Sequence, residues 1–349
     1  MMTLRLLAAR PATIPTAAAW SLADIAEARG KQELFTRQSP QTLRVLREHA
    51  MIESAVSSTR IEGVTIDQRR ARDVVLGQSK LIDRNEEEVR GYRDALKLIH
   101  EHGSDLPIAE TTITHLHRLV KPGTGDAGEF KQVETDIVER TPSGRPRVRF
   151  RTTSAADTPA AMDELVSLFG RCLAERWVPP LAAVAAFNLD FLCIHPFRDG
   201  NGRVSRLLLL LQTYALGFEV GRFISLERLI ETHKDRYYET LAEGSAGWHR
   251  GRHDPWPLIN YLLFIVLAAY RELEARLGDT ASPRGAKTEQ VAAAVAARGG
   301  EFSLVDLERA CPGVSRDMIR KLLRRFQAEG AVECIGRGPG ARWRKRVLP

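Results

Sequence analysis

Four cysteines in 349 residues, at positions 172, 193, 311 and 334, are too few and too scattered for a disulfide framework. No C-x-x-C pair occurs, which argues against a zinc site or a redox dithiol. Long apolar runs are also missing. Runs such as 207–211 and 262–270 fall well short of the ~20 residues a membrane-spanning helix needs. The first twenty residues are broken by arginines and prolines and lack the apolar stretch of a secretory leader. The expectation is a soluble cytoplasmic protein with no membrane partner. There is no internal repeat and no low-complexity tract. A composition of 44% hydrophobic and 27% charged residues excludes long disorder and fibrous architectures. At ~150 residues per domain, this length suggests two domains.

Charge is unevenly distributed. Residues 285–349 hold 13 Lys/Arg against 7 Asp/Glu, and so carry +6 of the chain's net +7. A positive field concentrated in a short tail points to a polyanion or an acidic protein surface as its partner.

Most of the chain has helical period. Apolar stripes run through 40–58, 85–102, 111–120, 158–176, 204–216 and 258–276, while 181–194 is apolar nearly all round and reads as a central buried helix. One stretch breaks the pattern. Residues 130–138 and 145–152 alternate around a Pro-Ser-Gly turn at 142–144, which predicts a β-hairpin. The Gly/Ser/Pro/Asp punctuation of 277–285 reads as a linker. Beyond it, 287–298, 303–310 and 315–329 predict three short helices. Residues 331–346, with glycines at 336, 338 and 340, predict two strands and a wing. Three helices followed by a basic two-stranded wing is the winged helix-turn-helix pattern.

The chemistry concentrates between Cys193 and Arg206. His195, with an unperturbed pKa of ~6.5, can take a proton from a hydroxyl at neutral pH. Asp199 is a hard oxygen ligand suited to Mg²⁺ held jointly with phosphates. A Gly200-Asn201-Gly202 turn opens a helix, where converging N–H groups and the helix dipole favour an anion. Arg203 and Arg206, three residues apart, add two guanidinium groups suited to a polyphosphate.

This run, His195-Pro-Phe197-Arg-Asp199-Gly-Asn-Gly-Arg203-Val-Ser-Arg206, resembles the signature of the Fic family, H-x-F-x-[DE]-G-N-G-R-x-x-R, at every defined position. The resemblance implies a mainly α fold with a helical core and a β-hairpin flap, transferring AMP from ATP to a Ser, Thr or Tyr hydroxyl of a protein, itself included. It implies that His195 is the general base, Phe197 an apolar anchor and Asp199 the Mg²⁺ ligand. The amides of Gly200–Gly202 and Asn201 would hold the α-phosphate. Arg203 and Arg206 would hold the outer phosphates, with Val204 and Ser205 between them in the nucleotide-binding segment. The second glycine, Gly202, is usually missing from Doc-type kinases and favours AMP transfer over phosphoryl transfer.

Upstream, Ser58-Thr-Arg-Ile-Glu62-Gly63 resembles the family's inhibitory pattern, [ST]-x-x-x-E-[GN]. By that resemblance, Glu62 pairs with Arg206 and repels the γ-phosphate, so ATP binds only in an unproductive pose. The hairpin matches the flap that clamps a target segment by β-augmentation. Tyr237 and Tyr238 resemble a feature lining the nucleotide pocket, although packing of one of them in the core fits equally. The resemblance covers about 40–275 and implies four regions. These are an N-terminal helical region (1–110) with the inhibitory helix, a catalytic core (111–276), the linker and a C-terminal winged-helix domain (286–349).

In that last domain, Arg316, Arg320, Lys321, Arg324 and Arg325 line the third helix, and Arg342, Arg344, Lys345 and Arg346 follow the wing. DNA contact fits this pattern. Such modules on enzymes also serve dimerisation or target docking, so DNA, a homodimer and a protein target all stay open as partners. Another nucleotide donor, removal of AMP, or a DNA-binding regulator with a nucleotide-sensing Fic domain stay open as functions. Two histidine pairs carry no metal expectation: Gly251 between His249 and His253 argues against a helix, and His115 and His117 point apart on one.

Overall fold

The structure, a computed structural model, describes residues 1–9, 13–32, 40–103, 105–140, 145–280, 286–298, 300–311, 314–336 and 341–346. It is mainly helical and divides into two units, Met1–Leu273 and Glu274–Pro349. In the first unit, α1 (Thr3–Ala9), α2 (Thr16–Gly30), α3 (Pro40–Ile61), α4 (Gln68–Leu76), α5 (Arg84–His102) and α6 (Glu110–Val120) lead to a hairpin of β1 (Ile137–Arg140) and β2 (Pro146–Phe150). Then follow α7 (Thr158–Ala174), α8 (Pro180–Ile194), α9 (Asn201–Ala215), α10 (Leu226–Thr232), α11 (Lys234–Ser245) and α12 (Trp256–Thr280). Among the described residues no helix is long and apolar enough to cross a membrane.

Two helices position the site. Pro179-Pro180 starts α8, since the N–H that proline lacks would have no intrahelical acceptor in the first turn. From Leu181 to Ile194 nearly every residue is buried, so α8 is the core of the unit, packed by α1, α7, α9 and α11. It stops where His195 turns left-handed (φ 54°) and Pro196 removes the next donor. Gly200, also left-handed (φ 82°), opens α9, whose apolar residues Leu207 to Leu211 are all buried, with α3, α5, α6 and α8 packed around the helix. The functional segment is therefore the short turn between two core helices.

The periodicity of 40–58, 85–102, 111–120 and 181–194 corresponds closely to α3, α5, α6 and α8. The arginines and prolines of the N-terminus masked two further helices; α1 buries Leu4 and Leu7, and its N–H groups at Thr3 and Leu4 are taken by the buried Asp190 carboxylate of α8. The hairpin is shorter than expected. Residues 130–136 are not a strand, because their groups bond the core: Lys131 donates its backbone N–H to Pro196 and its ammonium to Thr152 and Ile194. The 142–144 turn lies outside the described residues. The stretch read as a linker begins inside α12, which runs on to Thr280; 281–285 lie outside the described residues.

The second unit contains α13 (Ala286–Ala296), β3 (Phe302–Ser303), α14 (Leu304–Ala310), α15 (Arg316–Ala328), β4 (Val332–Ile335) and β5 (Arg342–Lys345). Ser303 and Ser315 cap α14 and α15 through their side chains. Its core gathers Val291, Phe302, Leu307, Ile319, Leu323 and Phe326. The two expected strands are joined by a third, β3, too short for any alternation to announce, giving the antiparallel order β3-β5-β4.

Candidate nucleotide site

The turn after α8 is fastened from three sides. Asn201 closes it on itself: its Oδ1 accepts from the Phe197 N–H at 2.9 Å and its Nδ2 donates to the Phe197 carbonyl at 2.7 Å. Phe197 is buried between Phe130, Phe191 and His117, whose ring stacks on it at 3.8 Å. His117 in turn accepts from the Gly128 N–H through Nδ1 (2.8 Å), which leaves Nε2–H to donate to the Asp199 carbonyl at 3.0 Å. Burial pulls the His117 pKa down to about 4, so the ring is neutral and holds this bridge at neutral pH.

His195 stands at the mouth of the turn. Burial, then the charge of Lys131, pulls its pKa down to about 4. Its Nδ1 faces the Leu192 carbonyl at 3.4 Å, an arrangement that places the proton on Nδ1 and leaves the Nε2 lone pair free. A neutral imidazole with an open nitrogen suits a proton acceptor.

Glu62 lies just past the end of α3. Gly63, left-handed at φ 84°, ends that helix, and a Cβ there would meet nothing; the backbone conformation is what calls for glycine. Glu62 Oε1 accepts from Arg206 Nη2 at 2.8 Å, while Ser58 takes two more bonds from the same guanidinium, Nε to its hydroxyl (2.8 Å) and Nη2 to its carbonyl (2.9 Å). Burial opposes the Arg206 charge, yet Glu62 and the neighbouring tyrosines raise its pKa above the ordinary arginine value. At Gly202 a Cβ would lie 2.2 Å from Glu62 Oε1, so the carboxylate occupies space that only glycine leaves open.

The other predicted ligands are placed differently. Arg203 is fully buried and faces away from the cavity: Nη1 donates to Glu88 Oε2 at 2.5 Å. Lys121 bridges Glu88 (3.0 Å) and Asp199 (2.6 Å), forming a buried chain from α5 through α6 to the turn. Burial works against the Asp199 charge, but Lys121 and Arg203 hold its carboxyl below the usual range. Val204 and Ser205 are buried and do not line the cavity; Ser205 donates to Asn188. The Asn201 side chain is spent on the turn itself. Expectations that Arg203, Val204, Ser205 and the Asn201 side chain touch a nucleotide are thus not matched by their positions here. Glu88, Lys121, His117 and Lys131 were missed, because nothing in their own sequence neighbourhoods marks them.

A cavity of about 360 Å³ opens beside the turn. Glu62, His195, Gly202 and Arg206 line one end, the hairpin residues Ile137, Arg149 and Phe150 another, and Tyr237, Tyr238 and Leu241 a third side. Tyr237 is buried against Tyr261 and its hydroxyl is pushed up to about 12 by burial, whereas Tyr238 remains 39% exposed with its hydroxyl 3.5 Å from the Ile61 carbonyl. Core packing and pocket lining are therefore both true of the pair. Among the described residues no cluster of three His, Cys, Asp or Glu could hold a metal. A hard cation at Asp199 would need phosphate oxygens and water for most of its shell, and the carboxylate, with 65% of its side chain exposed, is open to them. His249 accounts for itself by anchoring the hairpin, bonding the Arg151 carbonyl and stacking on Phe150; His253 bonds Thr3.

A helical core around such a turn defines a class of fold, and known proteins share it. Residues 107–213 match the Fic/DOC family. A Fic family protein from Desulfovibrio desulfuricans G20 is similar over 97% of this chain and 98% of its own, with 25% identity and a TM-score of 0.63. A Fic-domain signalling protein from Bacteroides thetaiotaomicron VPI-5482 shares the fold at 20% identity and a TM-score of 0.61, over 73% of this chain and 97% of that one. Fic-1 (aa134–508) from C. elegans does so at 20% identity and a TM-score of 0.59, over 75% and 73%.

In the second unit, most of the expected basic face is already neutralised. Arg316 pairs with Glu308, Arg320 with Asp317, Arg325 with Glu329, Arg342 and Arg344 with Glu301, and Arg346 with Glu333. Lys321, Arg324 and Lys345 make no ion pair among the described residues.

Proposed function

We propose that the protein is an adenylyltransferase that moves AMP from ATP onto a protein hydroxyl and is restrained by Glu62. The observation that carries this is the cavity shared by a neutral His195, the Gly202 turn and an Arg206 whose charge is taken up by Glu62. His195 Nε2 accepts the hydroxyl proton as that oxygen attacks the α-phosphorus; the bond to the bridging oxygen breaks and pyrophosphate leaves. N–H groups at the start of α9 hold the phosphate. Arg206 takes the γ-phosphate only when Glu62 has let go. Mg²⁺, held by Asp199 with phosphate oxygens and water, would supply charge neutralisation when bound. The hairpin would hold the target segment as an added strand.

Incubation with α-labelled ATP and Mg²⁺, followed by autoradiography and an intact-mass check, tests the reading. Label bound covalently to protein supports it. Label released without attachment, or transfer of the γ-phosphate instead, rejects it. For the second unit, the helix and strand order with β5 between β3 and β4 supports a winged-helix module. Its surface ion pairs favour docking of a protein over DNA, since few guanidinium groups are left for phosphates.

A further inference from the structure

Arg149 has no role in the account so far, and it is unusual on three grounds. It is the extra residue of a β-bulge: Ile137 pairs with Phe150 and Val138 with Val148, leaving Arg149 unopposed. Consecutive residues of a regular strand face opposite ways, yet Arg149 and Phe150 both line the cavity, as a bulge beside a site allows. Its Nε is shut off from solvent without an acceptor, and the guanidinium makes no hydrogen bond or ion pair among the described residues. Glu139, the hairpin carboxylate nearest in sequence that borders the cavity, pairs with Arg147 instead. Burial raises both the Cys193 thiol and the Tyr238 hydroxyl, and the charge of Arg149 works against that rise at each, which sets it between two walls of the cavity.

Two guanidinium groups thus border this space. Arg206 is engaged by Glu62, and Arg149 is free. We propose that Arg149 is a phosphate-binding residue: it takes an oxygen of a nucleoside polyphosphate while Glu62 occupies Arg206, and so supplies the affinity of the restrained state. The inference rests on the nucleotide reading above. A fork of N–H donors with one buried donor unused matches a phosphate oxygen. It also explains how an anionic ligand enters a cavity that Glu62 and Glu139 border.

The test is calorimetric titration of ATP and of adenosine, without Mg²⁺ so that no transfer occurs, into wild type, Arg149→Met, Arg149→Lys, Glu62→Gly and the Glu62→Gly/Arg149→Met pair. Arg149→Met should weaken ATP about tenfold or more, the worth of a hydrogen bond to a charged group, and leave adenosine unchanged. Arg149→Lys should recover part of the loss. In the Glu62→Gly background the same substitution should matter less, because Arg206 is then free to substitute. Equal ATP affinity for wild type and Arg149→Met overturns the proposal, as does a matching loss for adenosine, which would mark a contact to the nucleoside or a disturbed hairpin. Wild type that binds adenosine and ATP equally well removes phosphate recognition, and binding of neither removes the nucleotide reading itself.

Discussion

Glu62→Gly takes one carboxylate from a cavity while leaving the arginine it holds in place. Arg206 is buried and donates three hydrogen bonds, two of them to Ser58, so losing Glu62 releases the guanidinium from its charged partner while Ser58 keeps it in place. A hydrogen bond to a charged group contributes ~1.5–3 kcal/mol, and the lower end applies because the Glu62 side chain is 32% exposed and screened. The same carboxylate repels an incoming γ-phosphate, which adds a like-charge term of similar sign. Together these correspond to about 10–100-fold faster transfer. Initial rates of label incorporation, taken over a range of ATP and Mg²⁺, measure it. Glu62→Gln, which keeps an acceptor but no charge, should fall between the two. Glu62→Gly with Arg206→Ala should lose the gain, since the released arginine is what captures the phosphate. If Glu62→Gly labels no faster than wild type at any ATP or Mg²⁺ concentration, the pair restrains nothing and Glu62 is an ordinary carboxylate.

His195→Ala should reduce transfer by about 10²–10⁴-fold and spare ATP affinity, and near-wild-type rates would remove His195 as the base. Because the His195 pKa is pulled down to about 4 from 6.5, the neutral form persists below pH 6.5; the acid limb of the Glu62→Gly rate profile should lie nearer 4, and a limb at 6.5 would contradict this environment. Glu88→Gln leaves the buried Lys121 and Arg203 to share the half-exposed Asp199 as their one counter-charge and should cost about 3 kcal/mol in urea unfolding at neutral pH. The Glu88 pKa is lowered on folding, so its contribution is present above the unfolded value of 4.5 and lost as pH falls; a difference that stays constant into acid would show that the charge is not the cause. A chain ending at Thr280 should still bind ATP, and duplex DNA affinity equal with and without the second unit would end any DNA role for it.

Features written into consecutive residues were legible in the sequence alone. The apolar sweep of 181–194 and the Gly200-Asn201-Gly202 turn that opens the next helix each follow from local sterics and burial. The segment from His195 to Arg206 belongs with them, because a turn between two helices is a local object. The partners of its charges are not local. Arg203 and Arg206 are three residues apart and looked interchangeable, yet helix packing turns one toward Glu88 and the other toward Glu62, 144 residues upstream of Arg206. Lys121, His117 and the bulge that re-aims Arg149 were equally invisible. A buried charge must find a counter-charge, and which one it finds depends on the helices and strands that close around it rather than on the residues beside it in the chain.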